Sequence, residues 1–171
     1  MTRDPPAAPV GSGSLLQILP TSLRVPERPL RAVAIGWLTA FPLSMALAAL
    51  GSVLLPSAPQ PEFAARGFTA IFTLVIFSPV VETIIMGAVL LLLLRFVSPV
   101  LAIALSTIGW GIAHSLLAPL WGLVIWWPFL ILSTLFVTWQ QRSLQLAFLI
   151  PMAVHALQNL LPALLVARGL A

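Results

Sequence analysis

Four residues stand out as able to do chemistry within an otherwise apolar chain: Glu82, His114, His155 and Asn159. The sequence holds 4 acidic residues and 2 histidines. Asp4, Glu27 and Glu62 fall in a proline-rich tail or a loop, which leaves Glu82, His114 and His155 as the ionisable groups within long apolar stretches. A carboxylate and two imidazoles are groups that exchange protons, so the chemistry they offer is acid–base work or proton passage inside a bilayer. An ionisable side chain near the bilayer centre costs roughly 2.5 to 3.5 kcal/mol on insertion scales, so each is expected to face the interior and to have a partner.

Helical spacing brings these groups toward one another. His155 and Asn159 stand i, i+4 on one face, and Trp110 stands i−4 to His114. At about 1.5 Å per residue from span ends marked by Arg95, Ser98 and Arg142, Glu82 and His155 lie roughly 20 Å deep, His114 roughly 24 Å and Asn159 roughly 25 Å. All four therefore fall in one layer. Pro79 precedes Glu82 by three residues and Pro151 precedes His155 by four, each expected to kink its helix and free a carbonyl one turn upstream. A plainer role for His and Asn in a membrane is hydrogen bonding between helices, worth typically about 0.6 kcal/mol.

The elements that must position these residues follow from composition. The 171 residues are 60% apolar and 7% charged, far from the roughly 25% charge of soluble domains. Mean hydropathy is +1.10. A spanning helix needs about 20 apolar residues, so the expected fold is an all-α, multi-pass transmembrane helix bundle of about five spans. They run from about Arg31 to Leu55, Gly67 to Leu94, Val100 to Leu117, Leu120 to Trp139 and Leu144 to Ala167. Short connections among the last four imply antiparallel neighbours. Residues 1–29, with Pro5, Pro6, Pro9, Pro20, Pro26 and Pro29, read as a disordered tail, and residues 30–171 as the helical domain.

The net charge of +4 comes from 8 arginines and no lysine. Arg3, Arg24, Arg28, Arg31, Arg95 and Arg142 fall on one side and Arg66 and Arg168 on the other, so the positive-inside rule puts the N-terminus in the cytoplasm. This distribution reports topology and sets nucleic-acid binding aside. The absence of Cys removes disulfides and cysteine-protease chemistry. No span contains Asp, no Gly-x-Ser-x-Gly occurs, and neither histidine belongs to a His-Glu-x-x-His helix, so aspartyl, serine and zincin protease readings fail.

At these residues the sequence resembles the CPBP family of intramembrane proteases, also called the Abi family, which includes type II CAAX prenyl endopeptidases and bacteriocin-processing enzymes. The resemblance covers about residues 75–165, within a family-like core at about 67–168. The family's Glu-Glu-x-x-x-Arg after a proline is similar to the stretch from Pro79 through Glu82 to Gly87, with Thr83 at the second Glu and Gly87 at the Arg. Its Phe-x-x-x-His is similar to Trp110–His114, and its His-x-x-x-Asn is intact as His155–Asn159.

The resemblance implies peptide-bond hydrolysis in a membrane-associated protein or peptide, with Glu82 and His114 activating a water and His155 with Asn159 stabilising the oxyanion. Such roles suit a positioned base and fixed donors in a site of low dielectric. It also implies a possible zinc cofactor, for which Glu82, His114 and His155 would be a His₂Glu set with one open position; the metal-independent glutamate mechanism is the favoured expectation. The expected location is a bacterial cytoplasmic membrane, with the lipid bilayer and the substrate as partners. Thr83 and Gly87 leave room for an inactive relative that scaffolds or binds another membrane protein. A small transporter or proton-relay subunit is the other alternative.

Overall fold

The computed structural model describes residues 8–170. Among them every regular element is helical, and four helices are long and apolar enough to cross a membrane: Pro29–Leu54, Gly67–Leu93, Trp121–Gln140 and Leu144–Ala167. These make the chain a helical membrane protein. The third expected span is a shorter apolar helix, Pro99–Ser115; its 17 residues reach about 25 Å.

In chain order the elements are a 3₁₀ turn at Leu15–Ile18, α1 (Thr21–Arg24), α2 (Pro29–Leu54), α3 (Gly67–Ile71), a π-helical segment at Phe72–Phe77, α4 (Ser78–Leu93), α5 (Pro99–Ser115), α6 (Trp121–Gln140) and α7 (Leu144–Ala167). The starts follow local rules. Pro29 and Pro99 occupy first turns, where a missing N–H costs nothing. The hydroxyls of Ser98 and Ser143 cap α5 and α7 by accepting from Leu101 and Leu146 N–H.

Helix α6 is the axis of the bundle. From Pro128 to Trp139 it is buried nearly all round, packed against α5, α7 and α2. A helix apolar on every face belongs in such a position. The other helices turn large apolar side chains outward, among them Leu38, Ile85, Leu105, Ile112, Leu149 and Leu160. In water that surface would aggregate; in a bilayer it meets acyl chains. Helices α5 and α6 approach closely at Gly122, where a Cβ would collide with the Gly111 carbonyl and the Ser115 hydroxyl.

The N-terminal segment departs from expectation. The part of the supposed tail that falls in residues 1–7 lies outside the described residues, but residues 10–24 fold back onto the bundle. Val10, Leu16, Leu19 and Leu23 are buried in the same core as α6, and Leu23 is fully covered. Arg24 Nε donates to the Leu19 carbonyl at 3.2 Å, and Val10 N–H donates to the Arg24 carbonyl at 2.9 Å. Arg142, between α6 and α7, donates to the carbonyls of Pro26 and Glu27 at 3.1 and 3.0 Å. The segment has too little apolar area to fold alone, but it does not fold alone: it buries its leucines on a surface the bundle supplies.

Candidate active site

Glu82 sits on α4, His114 in the last turn of α5 and His155 mid-way along α7. The three side chains meet. Glu82 Oε2 lies 3.9 Å from His114 Nε2 and 3.8 Å from His155 Nε2. Both histidines are buried, and Glu82 keeps 22% of its side chain accessible, toward a cavity of about 350 Å³. Ser78, one turn before Glu82, donates its hydroxyl to Oε1. This leaves Oε2 as the oxygen that faces the imidazoles.

The imidazoles are fixed from behind. His114 Nδ1 lies 3.0 Å from the Trp110 carbonyl, one turn back on α5. A carbonyl only accepts, so Nδ1 carries the proton and Nε2 is the atom turned toward the carboxylate. Phe129 of α6 packs against both rings, 5.5 Å from His114 and 5.6 Å from His155, and Trp110 stacks on Phe129 at 4.5 Å. Trp121 meets His114 edge-on at 4.7 Å, and Phe63, from the loop between α2 and α3, covers Trp121 at 6.0 Å. His155 Nδ1 has no hydrogen-bond partner among the described residues.

Asn159 lines the same cavity but is engaged elsewhere. Its Nδ2 donates to the Leu74 carbonyl at 2.9 Å. The reason lies in the π-helical segment: there Ser78 N–H bonds five residues back, to the Thr73 carbonyl. In that register the next bond would run from residue 79 to Leu74, and Pro79 has no N–H to give. Asn159 supplies the donor instead. The freed carbonyl is thus five residues before Pro79, not the one a full α-helical turn upstream that α-helical spacing implies.

No protein-family profile, curated protein or solved structure matches the chain.

Two positions where the sequence departs from the CPBP pattern have structural consequences. Thr83 is buried, and its hydroxyl has no hydrogen-bond partner among the described residues. Gly87 faces aromatic rings, so that a Cβ there would lie 2.6 Å from Phe136 Cε2 and 2.8 Å from Phe148 Cζ. A side chain at this position would require those rings to shift.

A zinc ion held by Glu82, His114 and His155 would draw its donors together. Bonds of about 2.0–2.1 Å in tetrahedral arrangement set donors roughly 3.4 Å apart, and Glu82 Oε2 lies 3.9 and 3.8 Å from the two imidazole Nε2 atoms. An ion there would polarise a carbonyl oxygen or a bound water. No step below passes through one.

Sequence reasoning alone did not single out Ser78, Phe129, Trp121 or Gln158. Ser78 and Gln158 carried a local signal, the i−4 spacing to Glu82 and the i+3 spacing to His155. Phe129 and Trp121 reach the site through helix packing, which no short motif records.

Proposed function

We propose that the chain is an intramembrane endopeptidase of the CPBP type, hydrolysing a peptide bond in a membrane-associated protein or peptide. The observation that carries this reading is the convergence of Glu82 Oε2 on two imidazole Nε2 atoms, at 3.9 and 3.8 Å, in a cavity between apolar helices. A water molecule seated beside these three atoms would touch a base and two imidazoles.

In this mechanism Glu82 takes a proton from the water as its oxygen attacks the scissile carbonyl carbon. Ser78 holds the carboxylate so that Oε2 is the accepting atom. His155 donates from Nε2 to the carbonyl oxygen as negative charge develops there. The tetrahedral intermediate then collapses: the C–N bond breaks, and the proton held by Glu82 passes to the leaving nitrogen; His114 acts earlier, its Nε2 accepting the second hydrogen of the water and orienting it for attack. Asn159 contributes by fixing the segment before Glu82 through Leu74.

The arginine distribution supports a cytoplasmic N-terminus, and a composition of Arg without Lys, rich in Ala, Leu and Pro, supports a bacterial cytoplasmic membrane. That orientation sets the site in the outer half of the bilayer, so a bacterial peptide or membrane protein suits it better than a cytoplasmic prenylated chain.

A second reading, a non-catalytic scaffold of the same architecture, is favoured by Thr83 and by the rings packed against Gly87. The full chain reconstituted with a library of membrane-spanning peptides, with products read by mass spectrometry with and without chelator, separates the two. Cleavage at defined bonds supports the peptidase; an intact library beside folded protein supports the scaffold.

A further inference from the structure

At the end of the bundle where α2 begins, far along the chain from Glu82, a cleft of about 130 Å³ is lined by Thr21, Ser22, Val25, Glu27, Arg28 and Arg31. Both arginines are exposed. Neither guanidinium has an ion-pair partner among the described residues, where the charged contacts are those of Glu82 with the two histidines. Two guanidinium groups against the one carboxylate of Glu27 leave the cleft with an excess of positive charge. The neighbouring arginines are already engaged. Arg24 donates to the carbonyls of Leu19 and Val10, and Arg142 to those of Pro26 and Glu27, so they hold the backbone that carries the cleft.

The same segment leaves apolar side chains uncovered. Leu15 and Ile18, one 3₁₀ turn apart, are 87 and 77% exposed, and Leu30, between the two arginines in sequence, is 86% exposed. Leu16, Leu19 and Leu23 are buried against the bundle, so the segment is divided into a face that packs and a face that does not. Exposed leucine and isoleucine beside arginine are the marks of a segment lying in the headgroup layer, with apolar side chains among acyl chains and cations at the level of the phosphates. The span Pro29–Leu54 starts directly after Arg28, which sets the cleft at that level.

We propose that this cleft binds the headgroup of an anionic phospholipid. The phosphate oxygens accept from the guanidinium N–H groups of Arg28 and Arg31, while Leu15, Ile18 and Leu30 lie against acyl chains. A zwitterionic headgroup brings a cation of its own and gains less from a cleft with positive charge in excess; an anionic one brings none. The volume is below the roughly 300–1,000 Å³ of sites that enclose whole small ligands, and suits a headgroup whose acyl chains stay outside. The proposal stands apart from the peptidase reading and does not depend on it.

The test titrates the full chain, in a neutral detergent, with phosphatidylglycerol or phosphatidylcholine and counts bound lipid by native mass spectrometry. Phosphatidylglycerol should be retained at least about fivefold more tightly than phosphatidylcholine. Arg28→Gln and Arg31→Gln should each weaken its binding about fivefold, the contribution of one arginine facing anionic lipid, and the double replacement should weaken it further. Arg95→Gln, which removes an exposed arginine between α4 and α5, should leave binding within about twofold. Glu27→Gln removes the carboxylate from the cleft and should tighten binding, a gain that misfolding cannot produce.

Equal retention of the two lipids overturns the proposal. So does an equal loss in Arg95→Gln, which would mark a general surface charge, or a Glu27→Gln chain that binds no more tightly. Inorganic phosphate at millimolar concentration should fail to displace phosphatidylglycerol; displacement would make the cleft a site for a free anion and overturn the lipid assignment.

Discussion

Asn159 donates to the carbonyl of Leu74 at 2.9 Å, and Leu74 is the residue whose carbonyl Pro79 leaves without an N–H. One side chain on α7 thus completes the backbone of the segment that leads into Glu82. In hydrocarbon an unpaired carbonyl finds no water, so the bond ties the π-helical segment to α7 and sets where α4 begins.

This pairing predicts coupling between Asn159 and Pro79. Asn159→Leu should destabilise the fold by about 1–3 kcal/mol, measured by reversible unfolding in mixed micelles. Pro79→Ala restores an N–H at position 79, so in that background the same replacement should cost less, with a coupling of at least about 0.5 kcal/mol. Strict additivity would show that the Leu74 carbonyl does not depend on Asn159.

The N-terminal fold makes a separate prediction. Leu23 is fully covered, and Arg24 ties the segment to Val10 and Leu19. Leu23→Ala and Arg24→Ala should each raise hydrogen exchange of residues 10–24 by tenfold or more, on the order of the 2–5 kcal/mol lost when a buried leucine is truncated. Exchange in α6 and α7 should stay as it is. Unchanged exchange in residues 10–24 would show that the segment is not held by these contacts.

At the contact of α5 and α6, Gly122→Ala should destabilise by about 1–3 kcal/mol, because the added carbon meets the Gly111 backbone, which cannot rotate away. His114 is carried by the same turn of α5, so activity should fall more than stability alone explains. Wild-type stability and activity in this variant would mean that the helices stand farther apart.

How much of this was legible in the sequence differs by element. The long helices begin and end within a few residues of where apolar runs, prolines and capping serines place them, because those signals are local. The layer holding Glu82, His114 and His155 was legible for the same reason: a helix converts residue number into depth. The π-helical segment was not, since its register is settled by a donor on α7, 85 residues away. The N-terminal segment was hidden by its prolines, which speak for its behaviour in isolation. Leu16, Leu19 and Leu23 order it only because the bundle offers a surface to cover them.

Ser78 bears directly on the proposed mechanism. Its hydroxyl donates to Glu82 Oε1, so Ser78→Ala should lower kcat by about tenfold to a hundredfold, the range for a hydrogen bond to a charged group, while KM stays close to the wild-type value. Ser78→Thr, which keeps the hydroxyl, should recover most of the loss. A rise in KM at constant kcat would instead place Ser78 in substrate binding.

The most direct test of the central claim compares the full chain with its Glu82→Gln variant, both reconstituted with membrane-spanning peptides and scored by mass spectrometry. The account predicts cleavage by the wild-type chain and a loss of at least about a hundredfold in the variant, the lower range for removal of a general base. It also predicts that a chelator leaves the wild-type rate unchanged. Full cleavage by the Glu82→Gln variant would contradict it.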